Sequence, residues 1–373
     1  MDTARLKESF ARVAMHGDEV ALFFYSDLFL RHPQIRDMFP VSMAAQRDHL
    51  LQALATIVSD VENTDQLTTY LQALGRDHRK FGTLTAHYDL LGTSFLATLA
   101  HFSGPEWTPE LAAEWQAAYG LIAQVMIRAA ADDEKVNPPF WDATVLSHEV
   151  RTFDTSVFRV VTLDTLNYVP GQSVGIECEL RPRVWRFYSI ANPPRADATL
   201  EFHVRMIDGG ALSPALARGL TAGSRLRLGP PVGTLTLDTG RGRKLLLVAG
   251  STGLAPLKAI VGQVADLAEP PEVHLFVGAQ QAEGLYDMPD LEKLGAQSSW
   301  LTITPCVSGD PGYPGERGLL PDVVARSGSW ADHDAYLAGP THMVEAMAAR
   351  LASLGVPADQ IHVEDFGWSE PCP

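Results

Sequence analysis

A break near residue 132 rules out a single fold for this chain. Asp132-Asp133-Glu134-Lys135 is followed by Asn137-Pro138-Pro139, a charged run and then two prolines, which together read as a linker. Before it, apolar residues recur at helical spacing and β-branched runs are scarce. Thr108-Pro109 opens one helix there: the threonine can cap it and the proline is tolerated in its first turn. Leu111, Trp115, Ala118, Tyr119, Ile122 and Met126 mark the apolar face that follows. After the break, from Trp141 to about Leu237, strands take over. Phe158, Val160 and Thr162 share one strand face, as do Leu200, Phe202 and Val204. Pro170-Gly171, Pro193-Pro194, Gly209-Gly210 and Gly229-Pro230-Pro231 punctuate the segment, the pattern of a small antiparallel barrel. From Lys244 onward buried strands alternate with helices, with strands expected at Lys244–Ala249, Val273–Val277, Leu301–Thr304 and Ala335–Leu337. That alternation predicts a doubly wound parallel α/β domain. The expected class is multidomain α + β + α/β, with domains over 1–132, 138–238 and 243–373, and a chain of 373 residues suits two or three domains.

Charge and composition narrow the partners. A net charge of −16 disfavours nucleic acid and anionic membrane surfaces. No apolar run approaches a membrane span, and Met1-Asp2-Thr3-Ala4-Arg5 is not a signal peptide. Cys178, Cys306 and Cys372 lie far apart without metal-ligand spacing, so a reduced, cytoplasmic compartment is expected. The expected partners are small molecules, and the expected state is a monomer.

Five short motifs carry chemistry in the last two thirds. Arg186-Phe187-Tyr188-Ser189 ends an expected barrel strand. A phenol can cover a flavin ring, a hydroxyl can bond its reactive nitrogen, and arginine can fork onto pyrophosphate. Gly209-Gly210-Ala211-Leu212-Ser213 precedes an expected helix, where backbone N–H groups of Gly209, Gly210 and Ser213 could hold phosphates. Gly250-Ser251-Thr252-Gly253-Leu254-Ala255-Pro256 sits between a buried strand and a helix, the context that phosphate and nicotinamide binding need. Ala338-Gly339-Pro340 follows a later strand, and Glu364-Asp365-Phe366-Gly367 lies near the end. In this order the motifs resemble the FAD and NAD(P)H module of the ferredoxin-reductase superfamily. The resemblance places Ser251 in a slot usually held by glycine and Ala338 in one usually held by cysteine. It puts Phe366 on the second flavin face. No acidic residue and no arginine stands in Gly278-Ala279-Gln280-Gln281, which favours NADH, with NADPH as the alternative.

The helical third must then supply an electron acceptor. Tyr25, Phe39, Gln46, Leu50, His78 and Tyr88 follow one another there, with Leu74 and Phe81 at helical spacing beside His78. Taken with the reductase motifs, this series resembles flavohaemoglobins over nearly the whole chain. The resemblance implies one haem b iron, with His78 as its proximal ligand. It implies Tyr25 and Gln46 as distal donors, and Phe39, Leu50 and Phe81 as pocket walls. Tyr88 is implied as a proximal tyrosine that acts with a glutamate on the last helix. Ala130 occupies that glutamate's place, Glu134 lies about a turn beyond, and Asp77 stands where the family carries lysine. The implied activity is nitric oxide dioxygenase: electrons from NAD(P)H pass through FAD to haem, and O2 and NO become nitrate. Two alternatives stay open, and Ala130 favours the first. One is the same build serving alkyl hydroperoxides, quinones or another acceptor. The other is a gas-binding sensor whose reductase keeps its iron ferrous.

Overall fold

The structure is a computed structural model that describes residues 2–364, and its chain divides into two compact units between Phe140 and Trp141. The first unit is helical: α1 (Thr3–Ala14), α2 (Asp18–Arg31), α3 (Ala44–Ser59), α4 (Thr64–His78), α5 (Thr85–Ser103) and α6 (Pro109–Glu134). Helices α1 and α6 begin at capping residues. Asp2 accepts from Arg5 N at 3.1 Å, and Thr108 Oγ1 accepts from Leu111 N at 3.3 Å with Pro109 in the first turn. Leu6, Phe10, Val13, Phe24, Leu28, Leu99, Leu111 and Trp115 form the core. Two glycines set the helix spacing. A Cβ on Gly75 of α4 would lie 2.3 Å from the Met126 carbonyl oxygen, and one on Gly92 of α5 would lie 2.5 Å from the Tyr119 ring. Both helices therefore pack against α6 at distances that no larger residue permits. By contrast, α3 has no fully buried residue, although Leu50, Leu51, Leu54 and Val58 are apolar.

The second unit holds both sheets. Its antiparallel half runs β1 (Trp141–Val150), β2 (Thr155–Thr162), β3 (Ser173–Cys178), β4 (Arg186–Ser189), β5 (Thr199–Arg205) and β6 (Arg225–Val232). Their order β4-β3-β6-β1-β2-β5 nearly closes into a barrel, because Ile190 just past β4 bridges to Phe202 on β5. Phe158, Val160, Leu200, Phe202 and Val204 fill the interior, as their alternation predicts. The intervening residues Val157, Glu201 and His203 are buried as well, because the parallel half covers that outer face.

The parallel half runs β7 (Lys244–Gly250), α7 (Leu254–Ala265), β8 (Val273–Ala279), α8 (Met288–Gln297), β9 (Leu301–Val307), β10 (Glu316–Arg317), α9 (Leu320–Ser327), β11 (His333–Ala338), α10 (Thr341–Ser353) and β12 (Ile361–Val363). Strand order is β10-β9-β8-β7-β11-β12, all parallel. The chain winds outward from β7 through β8 and β9, then returns to the other side of β7 as β11. That reversal creates the topological switch point at which doubly wound sheets bind ligands, at the C-terminal ends of the strands. Among the described residues no helix is long and apolar enough to cross a membrane.

Candidate functional site

His78 is the last residue of α4, where Gly75 one turn earlier presses the helix onto α6. Its Nδ1 lies 2.8 Å from the Leu74 carbonyl oxygen, which can only accept, so Nδ1 carries the proton. Burial holds the imidazole pKa down, and the ring is neutral with the Nε2 lone pair available. A neutral histidine fixed by a backbone carbonyl is the donor that haem iron requires. Among the described residues, no group of three or more His, Cys, Asp or Glu side chains could hold a bare metal ion. Phe81 meets the His78 ring edge to face at 5.9 Å. The half-exposed leucines of α3 offer the apolar surface that a flat porphyrin would cover.

Three acids lie about this turn, and the charge of Asp77, directly before His78, opposes burial by raising the imidazole pKa. Asp77 is buried and pairs with Lys80 at 2.6 Å. Asp133 reaches from α6 to Arg79, the residue after His78, and Arg79 also donates to the Asn137 carbonyl at 2.9 Å. Glu134 is exposed and Ala130 half-buried. The carboxylate that the end of α6 turns inward is thus Asp133 and not Glu134. Tyr88 is buried, and burial pushes its hydroxyl up to about 12, while its carbonyl accepts from the Tyr119 hydroxyl at 2.6 Å.

Tyr25, Gln46, Phe29 and Phe39 converge. Gln46 Nε2 donates to the Tyr25 hydroxyl at 3.2 Å. Phe39 meets Tyr25 edge to face at 5.5 Å, and Phe29 stacks on Tyr25 at 5.8 Å. Burial raises the Tyr25 pKa well above its ordinary value, which keeps it a protonated donor. Leu50, one turn after Gln46, packs half-buried on the same core.

In the barrel, β4 places Arg186 to Ser189 opposite Ile176 to Ser173 of β3. Tyr188 rests half-buried on the barrel core, and Phe187 beside it is also half-buried. An Arg186 guanidinium nitrogen donates to the Trp185 carbonyl at 2.8 Å. Ser189 Oγ accepts from Ser173 Oγ at 3.1 Å and donates to Glu364 Oε1 at 2.5 Å. Burial pushes the Glu364 carboxyl up to about 7, against the lowering effect of the Ser189 bond. Sequence reasoning quoted Glu364 only as the start of a tail motif and missed this role. Phe366 lies outside the described residues. Gly209 has φ 69°, and a Cβ on Gly210 would lie 2.7 Å from Ser213 Oγ, which accepts from Ile207 N at 3.1 Å. The helix expected after this turn is short, ending in a π-helical segment at Ala215–Gly219.

At the switch point two turns interlock. The Ser251–Gly253 turn links β7 to α7, with Thr252 half-buried and Pro256 buried in the first turn of α7. A Cβ on Gly253 would lie 2.3 Å from the Ala338 carbonyl oxygen, and one on Gly250 would lie 3.1 Å from Pro340. Gly339 has φ 149° and approaches Gly250 equally closely. This backbone cradle, made where two adjacent parallel strands end, fits a nucleotide. Ala338 is fully buried and brings no thiol to it. Ser251 adopts φ 53°, the left-handed region that explains a glycine in that slot.

Three family models match successive parts of the chain: Globin over residues 22–126, Oxidoreductase FAD-binding domain over 139–237, and Oxidoreductase NAD-binding domain over 247–349. A protein described as "Flavohemoprotein" from Bordetella pertussis is 27% identical, with 94% of each chain covered. The reductase component of the naphthalene 1,2-dioxygenase/salicylate 5-hydroxylase systems of a Ralstonia species is 32% identical, covering 60% of this chain and 68% of the relative. Among solved structures, the flavohemoglobin from Malassezia yamatoensis with bound FAD and heme superposes with a TM-score of 0.81 at 17% identity, covering 98% of each chain.

Proposed function

Because the chain belongs to the flavohaemoglobin family, we propose that it acts as a nitric oxide dioxygenase driven by NADH. It is a haem and FAD protein with an NAD(P)H-dependent oxidoreductase module. The chemistry these groups supply when bound is hydride transfer from nicotinamide to flavin, single-electron transfer from flavin to iron, and conversion of nitric oxide and dioxygen to nitrate at the iron.

The chain's own residues divide that work. His78 Nε2 holds the iron, and the Leu74 carbonyl fixes the ring's tautomer. Tyr25, oriented by Gln46, donates a hydrogen bond where negative charge develops on the gas side. Phe39 and Leu50 keep water out, and Phe81 walls the proximal side. Tyr188 covers the isoalloxazine, Arg186 meets the pyrophosphate, and the Gly209–Ser213 turn meets the phosphates. Ser189 Oγ and Glu364 Oε1, hydrogen-bonded to each other, would hold a proton for the flavin. Gly250 to Pro256 and Ala338 to Pro340 hold the nicotinamide half of the coenzyme.

One observation carries the dioxygenase reading: the buried Tyr25–Gln46 pair, which holds a protonated donor in apolar surroundings. The proximal geometry weighs against peroxide cleavage. A strong push on the iron needs an anionic partner on the histidine, and here Nδ1 bonds a neutral carbonyl. Asp133 is held by Arg79 instead. The test is anaerobic reduction with NADH followed by mixing with oxygen and then nitric oxide, beside a parallel mix with an alkyl hydroperoxide. Fast stoichiometric nitrate with slow peroxide loss supports the proposal. Fast peroxide loss with slow nitrate, or a long-lived oxy form that consumes neither, refutes it.

A further inference from the structure

Outside the cofactor motifs, a buried ionic network joins the barrel to the α/β half, with Lys258 at its hub. Lys258 Nζ donates to Glu201 Oε1 on β5 at 2.9 Å and to Asp287 Oδ2, just before α8, at 2.6 Å. The Glu201 and Asp287 side chains are 3% and 0% exposed. His203 Nε2 lies 3.1 Å from Glu201 Oε1, so it carries the ring proton, and Nδ1 accepts from the Tyr286 hydroxyl at 2.8 Å. Arg159 closes the network on Glu201 Oε2 at 2.8 Å, and Arg151 reaches Asp290 at 3.0 Å. Burial alone would raise the Glu201 carboxyl, but His203 and Lys258 hold it well below the carboxylate range. Burial keeps His203 neutral.

A buried ion pair stabilises a fold little better than apolar packing of the same volume, so stability is a weak reason for such a cluster. Its position suggests a stronger one. Glu201 is locked by its backbone to the residues just after the flavin strand β4: its carbonyl accepts from Ala191 N at 2.8 Å, and its N–H donates to Asn192 Oδ1 at 2.6 Å. Lys258 is the second residue after Pro256, within the helix that the nicotinamide turn opens. One turn along the same face, a Cβ on Gly262 would lie 2.6 Å from Pro193 Cδ. Two independent contacts therefore press α7 onto the segment that leaves β4.

We propose that Lys258 is a positioning residue for hydride transfer: by tying α7 to Glu201 it fixes the Gly250–Pro256 turn against Ser189 and so sets the spacing of nicotinamide and flavin. This rests on reading the two motifs as the flavin and nicotinamide sites. Misplacement by about 1 Å costs on the order of 100-fold in rate. Lys258→Met is expected to keep FAD and to shift NADH affinity less than about threefold. It should slow flavin reduction by roughly 10- to 100-fold in stopped flow and weaken the long-wavelength charge-transfer band between flavin and nicotinamide. Hydrogen exchange should rise in 191–203 and 254–262 together, and Lys258→Arg should recover part of the band. If Lys258→Met loses FAD, Glu201→Gln takes its place, with the same readouts deciding. Flavin reduction and a charge-transfer band at wild-type values in the FAD-retaining variant overturn the proposal. Wild-type protein that holds FAD which NADH fails to reduce would instead overturn the underlying reading of the motifs.

Discussion

In the proposed reaction Tyr25 and Glu364 would each present one proton to a reacting centre, and burial sets the availability of both. Tyr25 keeps its proton at every accessible pH, so its contribution is a single hydrogen bond to a ligand that gains charge. Such bonds contribute about 1.5–3 kcal/mol, so Tyr25→Phe should speed dioxygen dissociation from the ferrous protein by roughly 10- to 100-fold. Laser photolysis or stopped-flow displacement measures that rate, and an unchanged value would remove Tyr25 from the site. Glu364 titrates where it works. Burial pushes its carboxyl up to about 7, above the 4.5 ordinary for glutamate, so the folded state binds the proton more tightly. The stability this gives is complete below the unfolded value and is lost as pH rises through about 7. Wild type should therefore lose melting temperature between pH 5 and 8 relative to Glu364→Gln, and only wild type should show an inflection near pH 7 in flavin reduction. Parallel curves for the two proteins would refute this assignment. The two residues differ in how legible they were. Tyr25, Gln46 and His78 are singled out only by the resemblance of the whole series, all within one helical third. Glu364 finds Ser189 across 175 positions, and Asp133 finds Arg79 across 54, separations over which no local pattern exists.

Helices α4 and α6 show what packing adds to such spacing. The periodicity of α6 was readable, and Thr108-Pro109 marked its start. Its closeness to α4 was not, because that depends on the absence of a side chain at Gly75, a residue that periodicity scores as neutral. A methyl group there would meet the Met126 carbonyl at 2.3 Å, and a backbone atom in a helix cannot step aside cheaply. Gly75→Ala should destabilise the helical unit by roughly 1–3 kcal/mol, as overpacking does. Since His78 is three residues on, haem release should speed up in the same variant. Apomyoglobin capture of released haem, read beside a thermal melt, tests both effects, and loss of stability without faster release would uncouple Gly75 from the proximal ligand. The β2–β5 pair carries the same lesson in the barrel. Alternation puts Phe158 and Val160 on one strand face and Leu200, Phe202 and Val204 on another, and it says nothing of the cover over the polar Glu201 and His203 between them. They are buried because a second layer covers them, and a strand's own sequence does not announce its cover.

At the scale of the molecule, the division between Phe140 and Trp141 separates the core of the helical unit from the barrel and sheet cores of the second, so each unit hides its own apolar residues. The stretch that reads as a linker is partly tied down: Arg79, next to His78, donates to the Asn137 and Pro138 carbonyls. Covalent union has a kinetic consequence for the proposed electron path. A tethered partner acts at an effective concentration in the millimolar range, whereas separated partners meet at whatever concentration the solution holds. A protease site inserted after Phe140 and cut once all cofactors are loaded should leave NADH-driven flavin reduction unchanged. Haem reduction at micromolar protein should then slow by on the order of 100- to 1,000-fold and rise in proportion to concentration. Haem reduction in the cut protein at the intact rate, whatever the dilution, would show that the tether does not set the encounter. Loss of flavin reduction on cutting would show that the second unit depends on the first for its own chemistry, contrary to the separate cores from which the expectation starts.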